Sequence, residues 1–167
     1  IKIDNMDEQH QQYLAARRKE AKELPVAVVA VASGEGLRSL FYSNGAAAIV
    51  VGGDTMNPSI QEILQVVEAV PSRNVIILPN NRNIVPAAQQ ACKLSKKPLK
   101  VVPTRSIPEG VAALLSFNPE LSLEDNLERM EKAQASVRTG EITAAVRSTS
   151  VGGLSVKKGQ IIGLLDR

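Results

Sequence analysis

Four short apolar runs recur along this chain, and each is followed by a polar loop and a helix-prone stretch. The first, residues 26–32, consists of Val and Ala without polar alternation, which is typical of a strand buried on both faces. The other runs are residues 46–51, 74–78 and 99–102. Strand–loop–helix cycles that repeat at intervals of about 25 residues predict a parallel sheet with right-handed crossovers. The predicted fold class is therefore α/β, a mostly parallel sheet with flanking helices.

Two of the intervening helices carry start signals. Ser59 with Glu62, and Ser106 with Glu109, have the spacing of a capping box, in which the two side chains satisfy backbone N–H groups of the first turn. Aromatic residues make up only 2% of the chain and apolar residues 44%. The core must therefore be built from Val, Ile, Leu and Ala, which suits a sheet covered by closely packed helices.

The sequence pattern divides the chain into three parts. Residues 1–24 are polar and helix-prone, and we interpret them as a linker or helical segment from an upstream domain. Residues 25–117 form the predicted parallel α/β domain, and residues 118–167 begin a second, smaller α+β subdomain. Because the chain starts at Ile1 rather than Met and ends directly after an apolar stretch, we expect an excerpt of a longer protein in which this subdomain is truncated.

The pattern of the third part differs from the cycles before it. An amphipathic helix is predicted near residues 122–137, and strands near 141–147 and 161–165. A Lys-Lys-Gly turn at residues 157–159 precedes the last strand. Short strands joined by turns favour an antiparallel arrangement over a continuation of the parallel sheet.

Cysteine content and hydropathy indicate the compartment. Cys92 is the single cysteine, so an internal disulfide is excluded, and a lone thiol in a Lys/Glu-rich chain fits the reducing cytoplasm. No apolar run approaches the roughly 20 residues that cross a bilayer, and no secretory signal is present in this sequence. We therefore expect a cytoplasmic protein without an integral membrane segment.

Small polar residues follow each predicted strand. In an open α/β sheet, ligands bind at the carboxyl ends of the strands, where helix N-termini supply backbone N–H groups. The same residue types also serve turns and helix caps, so a purely structural role remains an equal alternative. The candidate site residues for a ligand or partner are Ser33, Glu35, Gly52, Gly53, Asp54, Thr55, Asn57, Asn80, Asn81, Thr104, Arg105 and Ser106.

No catalytic constellation accompanies these residues. His10 is the only histidine and lies in the linker-like segment, and no His, Cys and Asp residues have the spacing of a metal site. Glu35 and Asp54 could approach each other, but a carboxylate pair alone is weak evidence for catalysis. The residues after the first strand match neither a Walker loop nor a Rossmann fingerprint. The sequence therefore predicts a fragment without catalytic residues, bound cofactor or metal.

Charge is distributed unevenly along the chain. Residues 71–105 contain seven bases and no acid, although the net charge of the whole chain is only +3. One interpretation is a solvated basic face, and the other is a docking surface for an acidic partner or a phosphate. The residues selected for docking are Arg82, Arg105, Lys96 and Lys97. A nucleic acid partner is disfavoured, because no aromatic residues interleave with the bases.

Several motifs together resemble one family. Residues 52–59 read Gly-Gly-Asp-Thr-Met-Asn-Pro-Ser, which resembles the Gly-Gly-x-Thr-Met-Asn-Pro-Ser signature of the YloV/FakA proteins. Residues 77–84 and 102–110 agree with that family in order and spacing, and its Glu-Gly-Leu run is matched at residues 35–37. Residues 5–10 look like the family's linker into its C-terminal domain. The resemblance spans nearly the whole chain.

The resemblance implies a place within a larger bacterial enzyme. Such proteins are similar to dihydroxyacetone kinases at their N-terminus, where ATP and magnesium bind, and their C-terminal domain is related in fold to the DegV lipid-binding proteins. The whole protein phosphorylates a fatty acid presented by a separate FakB carrier of the DegV type, and the acyl phosphate feeds phospholipid synthesis. The present chain resembles only the C-terminal domain, and a homodimer could form through the other domains.

The leading functional hypothesis is thus a non-catalytic domain of a fatty-acid-kinase-like protein. It would engage the fatty-acid-binding carrier so that the upstream kinase domain can act. The alternative is a small-molecule domain that binds a phosphate or lipid head group at the carboxyl ends of the strands. A lipid site needs a deep apolar tunnel with a polar mouth, whereas the predicted helices here have short, alanine-rich apolar faces.

Overall fold

A computed structural model describes residues 24–53, 57–151 and 153–165, with the backbone alone at Val151. The chain forms two compact units, Ile1–Ala135 and Ser136–Arg167. The predicted linker at residues 1–24 lies almost entirely outside the described residues. None of the helices among the described residues combines the length and apolar character that crossing a membrane requires.

The first unit alternates strands and helices, as the apolar runs predict. Its strands are β1 (Leu24–Ala32), β2 (Ala48–Val51), β3 (Ser72–Leu78) and β4 (Leu99–Val101). Its helices are α1 (Glu35–Ser43), α2 (Ile60–Ala69), α3 (Val85–Leu94), α4 (Ile107–Ser116) and α5 (Leu123–Ala135). The four strands form one sheet in the order β2-β1-β3-β4, and every neighbouring pair is parallel. The predicted α/β fold with a parallel sheet is confirmed.

Strand β1 lies between β2 and β3, and its side chains supply both faces of the core. Val26, Val28 and Ala30 pack with Phe41 of α1 and with residues of α4 and α5. Ala27, Val29 and Val31 pack with residues of α2 and α3 on the other face. Because alternate side chains point to opposite faces and both faces are covered, the strand reads as a continuous apolar run. Each fully buried Val or Ile stabilises the fold by about 1.5–3 kcal/mol.

Helix starts are fixed by the serine caps that the sequence indicates. The Ser59 hydroxyl accepts a hydrogen bond from the Glu62 N–H, and the Glu62 carboxylate accepts one from the Ser59 N–H at 2.7 Å. These contacts with the backbone and side chain of Ser59 lower the pKa of Glu62. Ser106 caps α4 by accepting from the Glu109 N–H. The two capping interactions position α2 and α4 directly behind their loops.

Helix α5 packs against α4 in the first unit. Leu123 and Met130 are buried in the core cluster formed with α1 and α4. The sequence pattern places this helix in a second subdomain at residues 118–167, whereas its contacts belong to the first unit, which ends at Ala135. The amphipathic stripe fits either assignment, since it shows that one face is buried but not which partner buries it.

Asn126 joins α5 to the segment before it. Its side chain is completely buried, and its oxygen accepts from the Asn118 N–H at 2.8 Å. Its amide nitrogen donates to the carbonyls of Asn118, Leu121 and Ser122. One side chain therefore bonds to four backbone groups of the partly buried 118–122 turn, and two of them, the Asn118 and Ser122 carbonyls, also accept from backbone N–H groups.

The second unit is a pair of antiparallel strands that continue into a hairpin. Strand β5 (Gly140–Ala144) pairs with β8 (Ile161–Leu165), and β6 (Thr149–Val151) pairs with β7 (Leu154–Val156). Between them, the Ala145 N–H donates to the Gln160 carbonyl, and the Gly159 N–H donates to the Ala145 carbonyl. The predicted antiparallel strands are present, and we call residues 140–165 the β-ribbon.

Replacing Asn126 should test the importance of the buried turn. We expect Asn126→Ala to lower the free energy of unfolding by about 2–3 kcal/mol, because it removes four hydrogen bonds to the partly buried 118–122 turn and empties a completely buried position. Urea denaturation followed by circular dichroism measures this change. Glu128→Ala, an exposed position on the same helix, is the control and should stay within about 0.5 kcal/mol of wild type. Equal midpoints for Asn126→Ala and wild type would contradict the assignment.

Candidate functional site

The loops that follow β1 to β4 all lie at one end of the sheet, because the four strands are parallel. We call this the carboxyl end, and its described residues are 33–34, 52–53, 57–59, 79–84 and 102–106. From β1 the chain continues to β2 on one side of the sheet, and from β3 it continues to β4 on the other side. The loops that follow β1 and β3 therefore diverge at the carboxyl end of these two neighbouring strands. In open α/β sheets, ligands and partners approach at such a switch point.

The loops after β1 and β2 are in close contact. A Cβ atom placed on Gly53 would lie 2.7 Å from Ser33 Oγ, so a larger residue at position 53 would collide with Ser33. The Gly52 N–H donates to the Ala32 carbonyl at 3.3 Å. Gly53 therefore has a structural explanation, namely the close approach of the two loops.

Asn80 ties together the loops after β3 and β4 and the end of β1. Its backbone N–H donates to the Thr104 hydroxyl at 3.0 Å, and that hydroxyl donates back to Asn80 Oδ1 at 2.9 Å. Asn80 Nδ2 donates to the Val31 carbonyl at 2.9 Å. Both polar side chains are buried and satisfied within the fold. Asn80 also adopts a φ of 58°, in the left-handed region that asparagine tolerates better than most residues.

Gly110 in α4 lets the helix approach this network. A Cβ atom at position 110 would collide with the Asn80 side-chain amide. Gly110 is not among the predicted site residues. The available signal was a glycine inside a helical pattern, which often marks a close packing contact.

Asn81 and Arg105 organise the two loops next to the network. Asn81 is buried, its side-chain oxygen accepts from the Asn83 N–H, and its carbonyl accepts from the Ile84 and Val85 N–H groups. The Arg105 N–H donates to the Glu109 carboxylate at 2.6 Å. These backbone contacts fix the loops while the side chains of Arg82 and Arg105 remain exposed.

The remaining predicted site residues differ in accessibility. Ser33 and Asn57 are exposed at the carboxyl end, Glu35 is exposed at the start of α1, and Gly52 is buried. Asp54 and Thr55 lie outside the described residues. Within the described part of the chain, no group of three or more His, Cys, Asp or Glu residues is placed to hold a metal ion.

The structure divides the four residues selected for docking between opposite ends of the sheet. Arg82 and Arg105 belong to the carboxyl end, on loops joined by the Asn80–Thr104 hydrogen bonds. Lys96 and Lys97 follow α3 and precede β4, which places them at the amino end. One partner surface at the carboxyl end can therefore contact the arginines but not the lysines.

The two lysines at the amino end take part in a structural contact. Lys97 Nζ donates to the carbonyls of Glu68 and Val70, at the end of α2. The Glu68 carboxylate accepts from the Lys96 N–H at 2.8 Å and from the Ser95 hydroxyl at 2.9 Å. Partial burial opposes ionisation of Glu68, but these hydrogen bonds and the charges of Lys97 and Lys96 lower its pKa overall. The cation also complements the negative end of the helix dipole.

Cys92 lies on α3 and is half-buried. Burial raises the pKa of its thiol, although the charge of Lys100 acts in the opposite direction. A raised pKa reduces the thiolate fraction at neutral pH, and the thiolate is the reactive form.

Gly110 provides a direct test of the network at the carboxyl end. We expect Gly110→Ala to destabilise the protein by about 2 kcal/mol, because the added methyl group displaces the Asn80 side chain from its hydrogen bonds. Gly36→Ala is the matched control. Gly36 also lies in a helix, but a Cβ atom there meets nothing within 4 Å, so alanine should stabilise by about 0.5 kcal/mol. Thermal unfolding of both variants gives the comparison, and equal effects would refute the role of Gly110.

The Glu68 contacts predict a pH dependence of stability. Because the pKa is lowered below its ordinary value of 4.5 in the folded state, the ionised group stabilises the fold above the unfolded-state pKa. This contribution is lost as the pH falls through the folded-state pKa. Glu68→Gln should therefore be less stable than wild type at pH 7, and the difference should shrink toward pH 3. Urea midpoints measured across this range, with Glu128→Gln as the control, test it, and a constant difference would contradict it.

Comparison with known proteins gives a consistent result along the chain. The family model for the FakA-like C-terminal domain of fatty acid kinase matches residues 27–167. Protein YloV of Bacillus subtilis (strain 168) is 41% identical over 172 aligned residues, which cover 99% of this chain and 31% of YloV. Uncharacterized proteins of Staphylococcus haemolyticus and Staphylococcus aureus are 41% and 37% identical, again over 99% of this chain. The chain spans about a third of the length of these curated relatives.

Proposed function

The chain belongs to the FakA-like family of fatty acid kinase C-terminal domains, and from this membership we propose that it is a docking module for a fatty-acid-binding carrier protein. The carrier, of the FakB or DegV type, would present the fatty acid to a kinase domain elsewhere in the same protein. The observation that carries the proposal is the family match over residues 27–167. It also confirms the resemblance seen in residues 52–59.

In this proposal, the chain itself contributes no step of the phosphoryl transfer. ATP and magnesium would bind to the kinase domain, and the product would be an acyl phosphate that enters phospholipid synthesis. The site of action would be the cytoplasm, where the lone thiol of Cys92 stays reduced. The role of the domain would be to hold the carrier at a fixed distance and orientation, which favours reaction by positioning alone.

The chemistry of the carboxyl end supports a surface for a protein partner. Asn80 and Thr104, which could have bound a small ligand, use their side chains for hydrogen bonds inside the fold. Arg82 and Arg105 are exposed, and no residue in the described part of the chain pairs with their guanidinium groups. Rigid loops that present two cations suit an acidic partner surface better than a pocket for a phosphate or lipid head group.

Carrier binding by this chain tests the proposal. We expect the immobilised chain to bind a fatty-acid-loaded carrier of this type in surface plasmon resonance. Arg82→Glu and Arg105→Glu should each slow association about tenfold or more at low salt, because exposed charges act through long-range attraction. Both variants should also be less sensitive to salt than wild type.

Lys93→Glu is the matched control for charge reversal. Lys93 is exposed and belongs to the same basic stretch, but it lies near the end of α3, at the amino end of the sheet. Its association rate should stay close to that of wild type. If wild type fails to bind any loaded carrier, the docking function is refuted. If all variants bind like wild type, the carrier docks at another surface.

A further inference from the structure

One buried hydroxyl connects the two loops that contain the exposed arginines of the carboxyl end. Thr104 is inaccessible to solvent, and its Oγ1 accepts from the Asn80 N–H at 3.0 Å and donates to Asn80 Oδ1 at 2.9 Å. Asn80 lies two residues before Arg82, and Thr104 directly precedes Arg105. A single side chain therefore links the two backbone segments from which the guanidinium groups of Arg82 and Arg105 extend.

Further contacts hold each of these loops in one conformation. Asn80 Nδ2 donates to the Val31 carbonyl at 2.9 Å, which attaches the linked loops to strand β1. Gly110 of α4 lies directly against the Asn80 side-chain amide. On the other loop, the Arg105 N–H donates to the Glu109 carboxylate at 2.6 Å. Buried polar groups that are satisfied in this way resist rearrangement, because a new conformation would leave one of them without a partner.

Ordered loops affect how tightly a partner is held. A loop that is already fixed loses little conformational freedom when a partner binds, whereas a mobile loop must be ordered at that moment. A guanidinium group pairs with a carboxylate through two parallel N–H···O bonds, and this geometry requires a defined position and orientation. Two guanidinium groups on linked loops therefore fit two carboxylates at one separation better than carboxylates at other separations.

We propose that Thr104 is a positioning residue for docking, whose hydroxyl fixes the separation of Arg82 and Arg105. This inference rests on the proposed docking function and adds the chemistry that the partner must present, namely two acidic side chains at a matching separation. A diffuse negative charge on the partner would attract the two arginines without any link between their loops.

Kinetics distinguish positioning from charge. Long-range attraction between charges governs the rate of association, whereas the fit of groups in contact governs the rate of dissociation. The Thr104 hydroxyl is neutral and buried, so its removal leaves the charge of the carboxyl end unchanged. The loss of positioning should therefore appear in the dissociation rate, whereas charge reversal at Arg82 or Arg105 should appear in the association rate.

Surface plasmon resonance of the immobilised chain with a fatty-acid-loaded carrier of the FakB type tests the proposal. Thr104→Val keeps the shape of the side chain but removes both hydrogen bonds. It should dissociate about tenfold faster than wild type, with an association rate within about twofold. Thr104→Ser retains the hydroxyl and should dissociate within about threefold of the wild-type rate.

Asn126→Ala is the control for a general loss of stability. It removes four hydrogen bonds in the same unit, but at the 118–122 turn rather than at the carboxyl end. Its dissociation rate should match that of wild type, at a temperature where circular dichroism shows every variant folded. Hydrogen exchange of the wild-type chain gives a measurement that needs no variant. The Asn80 N–H should exchange at least about a hundredfold more slowly than in an unstructured chain.

The outcomes separate this inference from the docking function. A wild-type chain that does not bind the carrier overturns both. Binding by wild type with unchanged dissociation of Thr104→Val overturns the positioning role alone. The positioning role is also overturned if Thr104→Ser or Asn126→Ala dissociates as fast as Thr104→Val, or if the Asn80 N–H exchanges at the rate of an unstructured chain.

Discussion

Burial of residues 26–32 of strand β1 on both faces is the constraint on which the first unit depends. Val28, Val29 and Ala30 are inaccessible to solvent, and the strand is hydrogen-bonded to a neighbour on each side. A strand of this kind needs helices on both faces, and parallel neighbours need crossover helices to connect them. The arrangement of α1, α4 and α5 on one face and α2 and α3 on the other follows from these two requirements. It also brings four loops to the carboxyl end.

Hydrogen bonds inside the fold decide what the carboxyl end can do. Asn80 and Thr104 are the kind of residues that bind small polar ligands, but here they link two loops to β1. A buried network that is fully satisfied is rigid, because every alternative arrangement leaves a polar group without a partner. The exposed arginines beside it are therefore held on fixed loops, where their charge acts over a distance.

Consecutive residues determined the local structure of this protein. The apolar runs predicted four parallel strands, the Ser59–Glu62 spacing predicted a capping box, and residues 52–59 indicated the family. The strands follow from the periodicity of apolar residues, the capping box from contacts within one helical turn, and the family from a contiguous motif. The candidate site could be predicted only as a set of loops at the carboxyl end, since residue types suited to turns and to ligands are the same.

Only the tertiary structure decided which of those residues form hydrogen bonds or packing contacts inside the fold. The bonds of Asn80 join residues 24 and 49 positions apart, and the collision at Gly110 brings a helix against a loop. The direction of the strands also decided that the bases of residues 71–105 are divided between the two ends of the sheet. The β-ribbon likewise depends on pairing between distant residues, which places Ile142 opposite Gly163. Contacts between distant residues depend on strand order and register, and the sequence pattern of a single element contains neither.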